Sequence, residues 1–95
     1  MTQQRKVALV TGASRGIGAA IAQQLILDGY FVVGTATSEA GAEKLSASFA
    51  ENGAGKVLDV RDATAIDALV TDIEQKYGSV LILVNNAGIT KDNLL

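Results

Sequence analysis

Short apolar runs alternate with longer amphipathic segments along this chain. The short runs are rich in Val, Ile and Leu, which is typical of strands that are buried on both faces. The longer segments repeat apolar residues at helical spacing. The pattern predicts strands at 6–10, 30–33, 56–60 and 80–84, with helices at 17–28, 39–50 and 63–77 between them.

The predicted helices have recognisable ends and one apolar face each. Gly29 and Gly78 stand where left-handed helix caps belong, and Asp62 is a candidate N-cap. The second helix is expected to end in a loop, residues 51–55, before the third strand. In the first helix, Ile17, Ala20, Ile21, Gln24, Leu25 and Asp28 show helical spacing, with the apolar positions clustered on one face. The expected inward positions are Ala42, Leu45 and Phe49 in the second helix, and Ile66, Leu69, Val70, Ile73 and Tyr77 in the third.

Regular alternation of strands and helices predicts the fold class. Right-handed crossovers produce a parallel sheet with helices on both faces, so we expect an α/β, doubly wound parallel sheet. The expected order of these first four strands is 3-2-1-4, which makes the boundary between the first and fourth strands the topological switch point. Ligands bind there, outside the carboxyl ends of the strands.

A glycine-rich turn follows the first strand, in the sequence Thr11-Gly12-Ala13-Ser14-Arg15-Gly16-Ile17-Gly18. Glycines at a strand end permit a sharp turn and remove the Cβ atoms that would block a pyrophosphate, while the N–H groups of the next helix face the anion. The Gly-Lys-Ser/Thr ending of a P-loop is not present. A glycine cluster is also the composition of an ordinary turn. The second strand end Asn85-Asn86-Ala87-Gly88, which again leads into small residues, favours a shared ligand crevice.

Composition narrows the class of protein. The chain has 95 residues, of which 48% are hydrophobic and 19% charged, as expected for one small globular domain. It contains no Cys and no His, which excludes a disulfide, a thiolate nucleophile and a zinc cluster. The net charge of −2 does not indicate the basic surface that binds nucleic acid. No apolar segment is long enough for a signal peptide or a membrane span, so we expect a cytoplasmic protein.

The two strand-end motifs together resemble those of the short-chain dehydrogenase/reductase family, Thr-Gly-x-x-x-Gly-x-Gly and Asn-Asn-Ala-Gly, whose domain is Rossmann-like. The resemblance covers essentially the whole chain. Within the family, residues 34–38 and the tail 89–95 look most like bacterial 3-oxoacyl-[acyl-carrier-protein] reductases of type II fatty-acid synthesis. One departure is Leu81, where many relatives carry Asp; it is expected to alter the start of the fourth strand and to leave the cofactor motif intact.

The resemblance implies a cofactor site with a role for each part of the motifs. Asp59 also has the simpler interpretation of a strand-end residue that caps a turn. Asn86 has that of a residue that stabilises its turn, and Arg15 that of a solvated surface charge. The implied contacts are Gly12, Ala13, Ser14, Arg15 and Ile17 on the phosphate and ribose side, Thr37 at the second strand end, Asp59 and Val60 beside the adenine, and Asn86, Ala87 and Gly88 toward the nicotinamide.

The end of the second strand favours NADP(H) over NAD(H). NAD-specific folds place an Asp or Glu about 20 residues beyond the glycine motif to hold the ribose 2′-OH. Here Thr37 and Ser38 occupy this region, the first carboxylate is Glu39, and Arg15 lies in the phosphate loop. A small shift in register would instead make Glu39 the ribose ligand.

The residues that carry the family's chemistry are expected to lie outside this sequence. In the family a Ser and a Tyr-x-x-x-Lys pair act on the substrate, but the residues four positions after Tyr30 and Tyr77 are Gly34 and Leu81. We therefore interpret residues 1–95 as the N-terminal, cofactor-binding part of a single Rossmann-like domain, inactive by itself and association-prone at the open edge of its fourth strand.

The resemblance implies that the complete protein is an NADPH-dependent reductase of an acyl-carrier-protein-linked substrate, and a homotetramer. Two alternatives remain open from the sequence. One is a noncatalytic dinucleotide-sensing module, and the other is a reductase of the same family with a different carbonyl substrate.

Overall fold

The computed structural model describes residues 6–14 and 16–86. Within those residues the strands and helices alternate strictly. Their bounds are β1 Val7–Thr11, α1 Gly16–Leu27, β2 Phe31–Ala36, α2 Glu39–Phe49, a 3₁₀ turn Ala50–Asn52, β3 Gly53–Val57, α3 Ala63–Lys76 and β4 Val80–Asn85.

The four strands form one parallel sheet in the order β3-β2-β1-β4, as predicted. In the centre of the sheet, Leu9 of β1 pairs with Val33 on one side and with Leu83 on the other. The register between β1 and β4 shifts near Val7, because the partner of Val7 is Val80 whereas the partner of Ala8 is Ile82. Leu81 is therefore the extra residue of a bulge at the start of β4, where the sequence departs from the family pattern.

Helices cover both faces of the sheet, so the fold is doubly wound. On one face, buried residues of β1 and β2 pack against Ala22 of α1 and against Leu45 and Phe49 of α2. On the other face, Val7, Leu9 and Val33 pack against Ile73 of α3, which is fully buried. Every residue of β1 is buried, which is expected for the central strand of a sheet covered on both sides.

The prediction of the third strand was wrong in position. The strand spans Gly53–Val57 rather than 56–60, so residues that were assigned to a closing loop belong to the sheet. A Cβ on Gly53 would lie 2.7 Å from the Phe49 ring, and one on Gly55 would lie 2.8 Å from Leu45 Cβ. These glycines allow α2 to pack closely on β3. The sequence suggests a turn because glycine is also the usual turn residue.

The predicted ends of the helices were largely confirmed, and the predicted apolar face of α1 was confirmed in part. Gly29 and Gly78 have φ of 97° and 123°, and the Asp62 carboxylate accepts a hydrogen bond from Ala65 N–H at 3.1 Å. In α1 the buried residues are Gly18 and Ala22. Of the predicted apolar face, Ile21 and Leu25 pack against the core, whereas Ile17 and Ala20 are exposed.

The fourth strand is less buried than its continuous apolar sequence predicts. Leu81 and Leu83 are 59% and 57% exposed, whereas Ile82 and Val84 are half-buried against the core of the opposite face. Among the described strands β4 is at an edge of the sheet, with β1 as its neighbour. Both faces are covered in part, because Val80 packs against the cluster on the α3 side whereas Ile82 and Val84 pack against the cluster on the α1 and α2 side.

Candidate functional site

The chain turns sharply between β1 and α1. Gly12 and Gly16 have φ of 64° and 65°, which are left-handed values that cost an L side chain about 1–2 kcal/mol. A Cβ on Gly16 would meet no described atom within 4 Å, so this glycine is needed for its backbone conformation and leaves open space above it. The turn and the start of α1 form the surface at the carboxyl end of β1.

The second strand holds the first half of this turn. Gly12 N–H donates to Thr35 Oγ1 at 3.2 Å, and Ala13 N–H donates to the Thr35 carbonyl oxygen at 2.9 Å. Thr35 is only 1% exposed. The first two N–H groups of the turn are therefore bonded within the protein, and any contact of Gly12 or Ala13 with a cofactor would use other atoms.

The end of the fourth strand holds the turn from the opposite side. Asn86 Nδ2 donates to the Gly12 carbonyl oxygen at 3.1 Å. One residue earlier, Asn85 Oδ1 accepts from Thr11 Oγ1 at 3.1 Å. A Cβ on Gly18 would clash with Gly12 O and would lie 2.6 Å from Asn86 Nδ2. The Asn86 side chain thus supports the turn after β1, a role that the sequence did not predict; its cofactor contact stays a prediction.

The start of α1 has the features of an anion site. The first N–H groups of an α-helix have no partner within the helix, and they carry the positive end of the helix dipole. In α2 and α3 the side chains of Ser38 and Asp62 accept one of these N–H groups. The residue before α1 is Arg15, whose side chain has no acceptor, and the first turn of α1 has no acidic residue. The chemistry of this helix end fits the phosphates of a dinucleotide.

The second strand end places Thr37 next to this surface. Thr37 directly follows β2, is exposed, and lies two residues beyond the Thr35 that holds the turn. Ser38 is occupied as the N-cap of α2, where its Oγ accepts from Gly41 N–H at 3.1 Å. Glu39 is the first residue of α2. The register thus leaves Thr37 as the polar side chain at the strand end.

A cavity of about 150 Å³ lies between α1 and α2, next to the turn after β1. Ala13 and Ser14 of the turn contribute to its wall, together with Gln23 of α1. Lys44 of α2 also lines it, which brings a positive charge to this side of the turn. The cavity lies on the side of the turn that faces α2.

The third strand end has a different construction. Asp59 accepts hydrogen bonds from Arg61 N–H, Nε and Nη2, each at 3.0 Å. The side-chain bond with Arg61, and secondarily the backbone bond, lowers the pKa of Asp59 from 3.8 to about 2. Both side chains are exposed. The interpretation of Asp59 as a turn cap is confirmed; its proposed adenine contact, like that of the half-buried Val60, stays a prediction.

The structure brings together most of the predicted residues that it describes. The turn residues, Thr37 and Asn86 lie at the carboxyl ends of the three adjacent strands β2, β1 and β4, and Ile17 is exposed at the start of α1. Asp59 and Val60 follow the outer strand β3. Arg15, Ala87 and Gly88 lie outside the described residues. Sequence reasoning missed Thr35, whose only signal was its place at the end of a strand beside Thr37.

Comparison with known proteins shows the family of the chain. The sequence profile of the short chain dehydrogenase family matches residues 6–95. The chain is similar to proteins named 3-oxoacyl-[acyl-carrier-protein] reductase FabG. It is 56% identical to the one from Haemophilus influenzae over 92 residues, 97% of this chain and 38% of the relative. It is 54% identical to the one from Escherichia coli over 95 residues, 100% of this chain and 39% of the relative. The chain belongs to the short chain dehydrogenase family.

The relatives are longer proteins than this sequence. The chain spans about two fifths of the length of the curated relatives it matches, and the match covers essentially all of its own residues. In the part of the chain that the structure describes, no helix is both long and apolar enough to cross a membrane.

Proposed function

We propose that the full-length protein is an NADPH-dependent reductase of 3-oxoacyl-[acyl-carrier-protein] in fatty-acid synthesis, and that residues 1–95 form its cofactor-binding part. The observation that carries the proposal is the geometry of the turn after β1, which suits dinucleotide phosphates. The family of the chain, that of the short chain dehydrogenases, supports it. The names of relatives at 54–56% identity support the substrate class.

Each part of the site has a separate task in this proposal. The N–H group of Ser14 in the turn and the first N–H groups of α1, beginning with Gly16, bind the pyrophosphate. Thr35 and Asn86 keep the turn in place through their bonds to Gly12. The bound NADPH supplies the hydride that reduces the 3-oxo group. The proton donor of the reaction is proposed to lie outside residues 1–95.

The proposed preference for NADPH depends on the groups around the end of β2. Thr37 supplies a hydroxyl where an NAD-specific fold would carry a carboxylate. Lys44 adds positive charge to the cavity beside Ser14, and we propose that Arg15 binds the 2′-phosphate directly. A hydrogen bond to a charged partner contributes about 1.5–3 kcal/mol. That corresponds to roughly a tenfold to hundredfold preference in Kd.

The test measures Kd for NADPH and NADH in the full-length protein and in the variant Arg15→Ala. We expect NADPH to bind the unmodified protein at least about tenfold more tightly. The variant should lose affinity for NADPH and retain its affinity for NADH, which has no 2′-phosphate. A preference for NADH in the unmodified protein would refute the roles of Arg15 and Thr37.

Turnover separates the proposed enzyme from its alternatives. The full-length protein should oxidise NADPH when a 3-oxoacyl thioester of acyl-carrier-protein is added, and the absorbance of NADPH reports the reaction. Tight NADPH binding without turnover on any carbonyl compound would favour a dinucleotide-sensing module. Turnover on steroid or sugar carbonyls alone would assign a different substrate.

A further inference from the structure

One buried residue of β2, Thr35, binds two consecutive N–H groups of the turn after β1. Its side-chain oxygen accepts from Gly12 N–H, and its carbonyl oxygen accepts from Ala13 N–H. The two segments are 23 residues apart in the sequence, so this is a tertiary contact that neither segment could form alone.

The contact is closely packed as well as hydrogen-bonded. A Cβ on the neighbouring Gly34 would lie 2.9 Å from Ala13 Cβ, and 3.0 Å from the ring of Phe49. Because Gly34 has no side chain, the turn lies directly against β2. Thr35 is 1% exposed, so water has little access to the Gly12 N–H bond. A side chain of the same shape without an oxygen would leave a buried donor unsatisfied.

The bond has a consequence for which groups can bind phosphate. With the N–H groups of Gly12 and Ala13 directed at Thr35, the donors directed at a ligand begin later, at Ser14 and the first turn of α1. The carbonyl of Gly12 is meanwhile fixed by Asn86 Nδ2. The orientation of the turn is therefore determined before a cofactor binds, which reduces the ordering cost of binding.

We propose that Thr35 is a positioning residue for cofactor binding, which fixes the turn in the conformation that binds pyrophosphate. This inference rests on the proposed dinucleotide function. Without the Thr35 hydroxyl, the Gly12 N–H would seek another acceptor and the turn would populate other conformations. The binding-competent fraction would fall, and the Kd for ligands that contain pyrophosphate would rise in inverse proportion.

The test uses the full-length protein with Thr35→Val, which keeps the shape and removes the oxygen, and Thr35→Ser, which restores it. Kd is measured for NADPH and ADP-ribose, which contain pyrophosphate, and for adenosine, which contains no phosphate. We expect the valine variant to weaken both pyrophosphate ligands by about five- to tenfold, with little change for adenosine. The serine variant should recover most of the affinity.

Ser46→Ala is the matched control. Ser46 Oγ accepts from Gly55 N–H at 2.9 Å, which is again a side-chain oxygen bound to a glycine N–H, but this bond joins α2 to β3 away from the turn. Its loss should lower stability without changing the ratio of the Kd values for NADPH and adenosine.

Each other outcome has a definite meaning. If Thr35→Val binds all three ligands as the unmodified protein does, or weakens all three by one factor, Thr35 has no positioning role and the inference is overturned. Failure of the unmodified protein itself to bind NADPH or ADP-ribose would instead overturn the proposed function, and the role of Thr35 in binding with it.

Discussion

The segments after β1 and after β3 both follow carboxyl ends of parallel strands, yet they are built in opposite ways. The turn after β1 is held by other elements, through Thr35 of β2 and through Asn86 after β4. After β3, Leu58 N–H still donates to the Ala36 carbonyl oxygen of β2, but the carboxylate of the next residue, Asp59, bonds to Arg61, only two residues further along the chain. The bonds that hold the first turn are tertiary, whereas the Asp59–Arg61 pair is exposed and local.

The difference indicates where precision is needed in this site. A turn that must present several N–H groups to a charged ligand benefits from being fixed in advance, because preorganised donors do not have to be ordered on binding. An exposed pair can adjust to a ligand at low cost, since surface ion pairs contribute little to stability. Substitutions around the first turn should therefore have much larger effects than those after β3.

The largest expected effect is that of Gly18→Ala. Its Cβ would clash with Gly12 O and approach Asn86 Nδ2 to 2.6 Å, so the turn and α1 would have to separate. We expect a loss of about 2–3 kcal/mol in the free energy of unfolding, and weaker NADPH binding. Urea unfolding and calorimetric titration of the full-length protein measure both.

The matched control for this substitution is Gly29→Ala. Gly29 has φ of 97° and no described atom within 4 Å of a Cβ, so the variant has backbone strain without crowding. It should cost about 1 kcal/mol and leave the Kd for NADPH unchanged. Equal effects of the two substitutions on binding would contradict the contrast between the segments.

Asn86→Ala should have the next largest effect. It removes the donor to Gly12 O, and a hydrogen bond of this kind contributes about 1 kcal/mol. We expect that loss in unfolding free energy, accompanied by weaker NADPH binding because the turn is no longer fixed from the β4 side. Asn85→Ala removes a bond to Thr11 and not to the turn, so it should weaken binding less. A larger loss of NADPH affinity in Asn85→Ala than in Asn86→Ala would contradict the role of Asn86 in supporting the turn.

The smallest effect is expected from Arg61→Gln, after β3. Without the guanidinium, the pKa of Asp59 should rise from about 2 toward its ordinary value of 3.8. A lowered native pKa stabilises the fold above the unfolded value, and that stabilisation is lost as the pH falls through about 4 to 2. The variant should therefore match the original protein in stability below this window and differ slightly above it.

Carbon NMR of the Asp59 carboxyl group measures that titration. Lys76→Gln, which removes the exposed ion pair with Asp72, serves as the control and should leave the Asp59 titration in place. An unshifted Asp59 titration in Arg61→Gln would show that the local pair does not set this carboxyl's pKa.

The sequence predicted those features that depend on local pattern. Strand and helix alternation gave the order 3-2-1-4, and the caps at Gly29, Asp62 and Gly78 were recognisable because each is specified by residues within one turn of the helix end. The glycine turn was found for the same reason. Its spacing reports a backbone conformation that few other residues adopt.

The features that were missed depend on contacts between distant segments. Gly55 was assigned to a loop because its role, close packing of α2 on β3, is invisible until both elements are placed. The exposure of Leu81 and Leu83 likewise depends on where β4 lies in the sheet. Thr35 has no motif at all, since a threonine at a strand end gives no sign that a glycine turn 23 residues earlier will bond to it.

Amide NMR of the full-length protein, with and without NADPH, tests the preorganised turn most directly. We expect the Gly12 and Ala13 amides to be protected from hydrogen exchange before NADPH is added, because both are bonded to Thr35. Addition of NADPH should shift and protect the amides of Ser14, Gly16 and Ile17 and change the first two little. Protection of Gly12 and Ala13 that appears only with NADPH, or unchanged amides at the start of α1, would contradict the account.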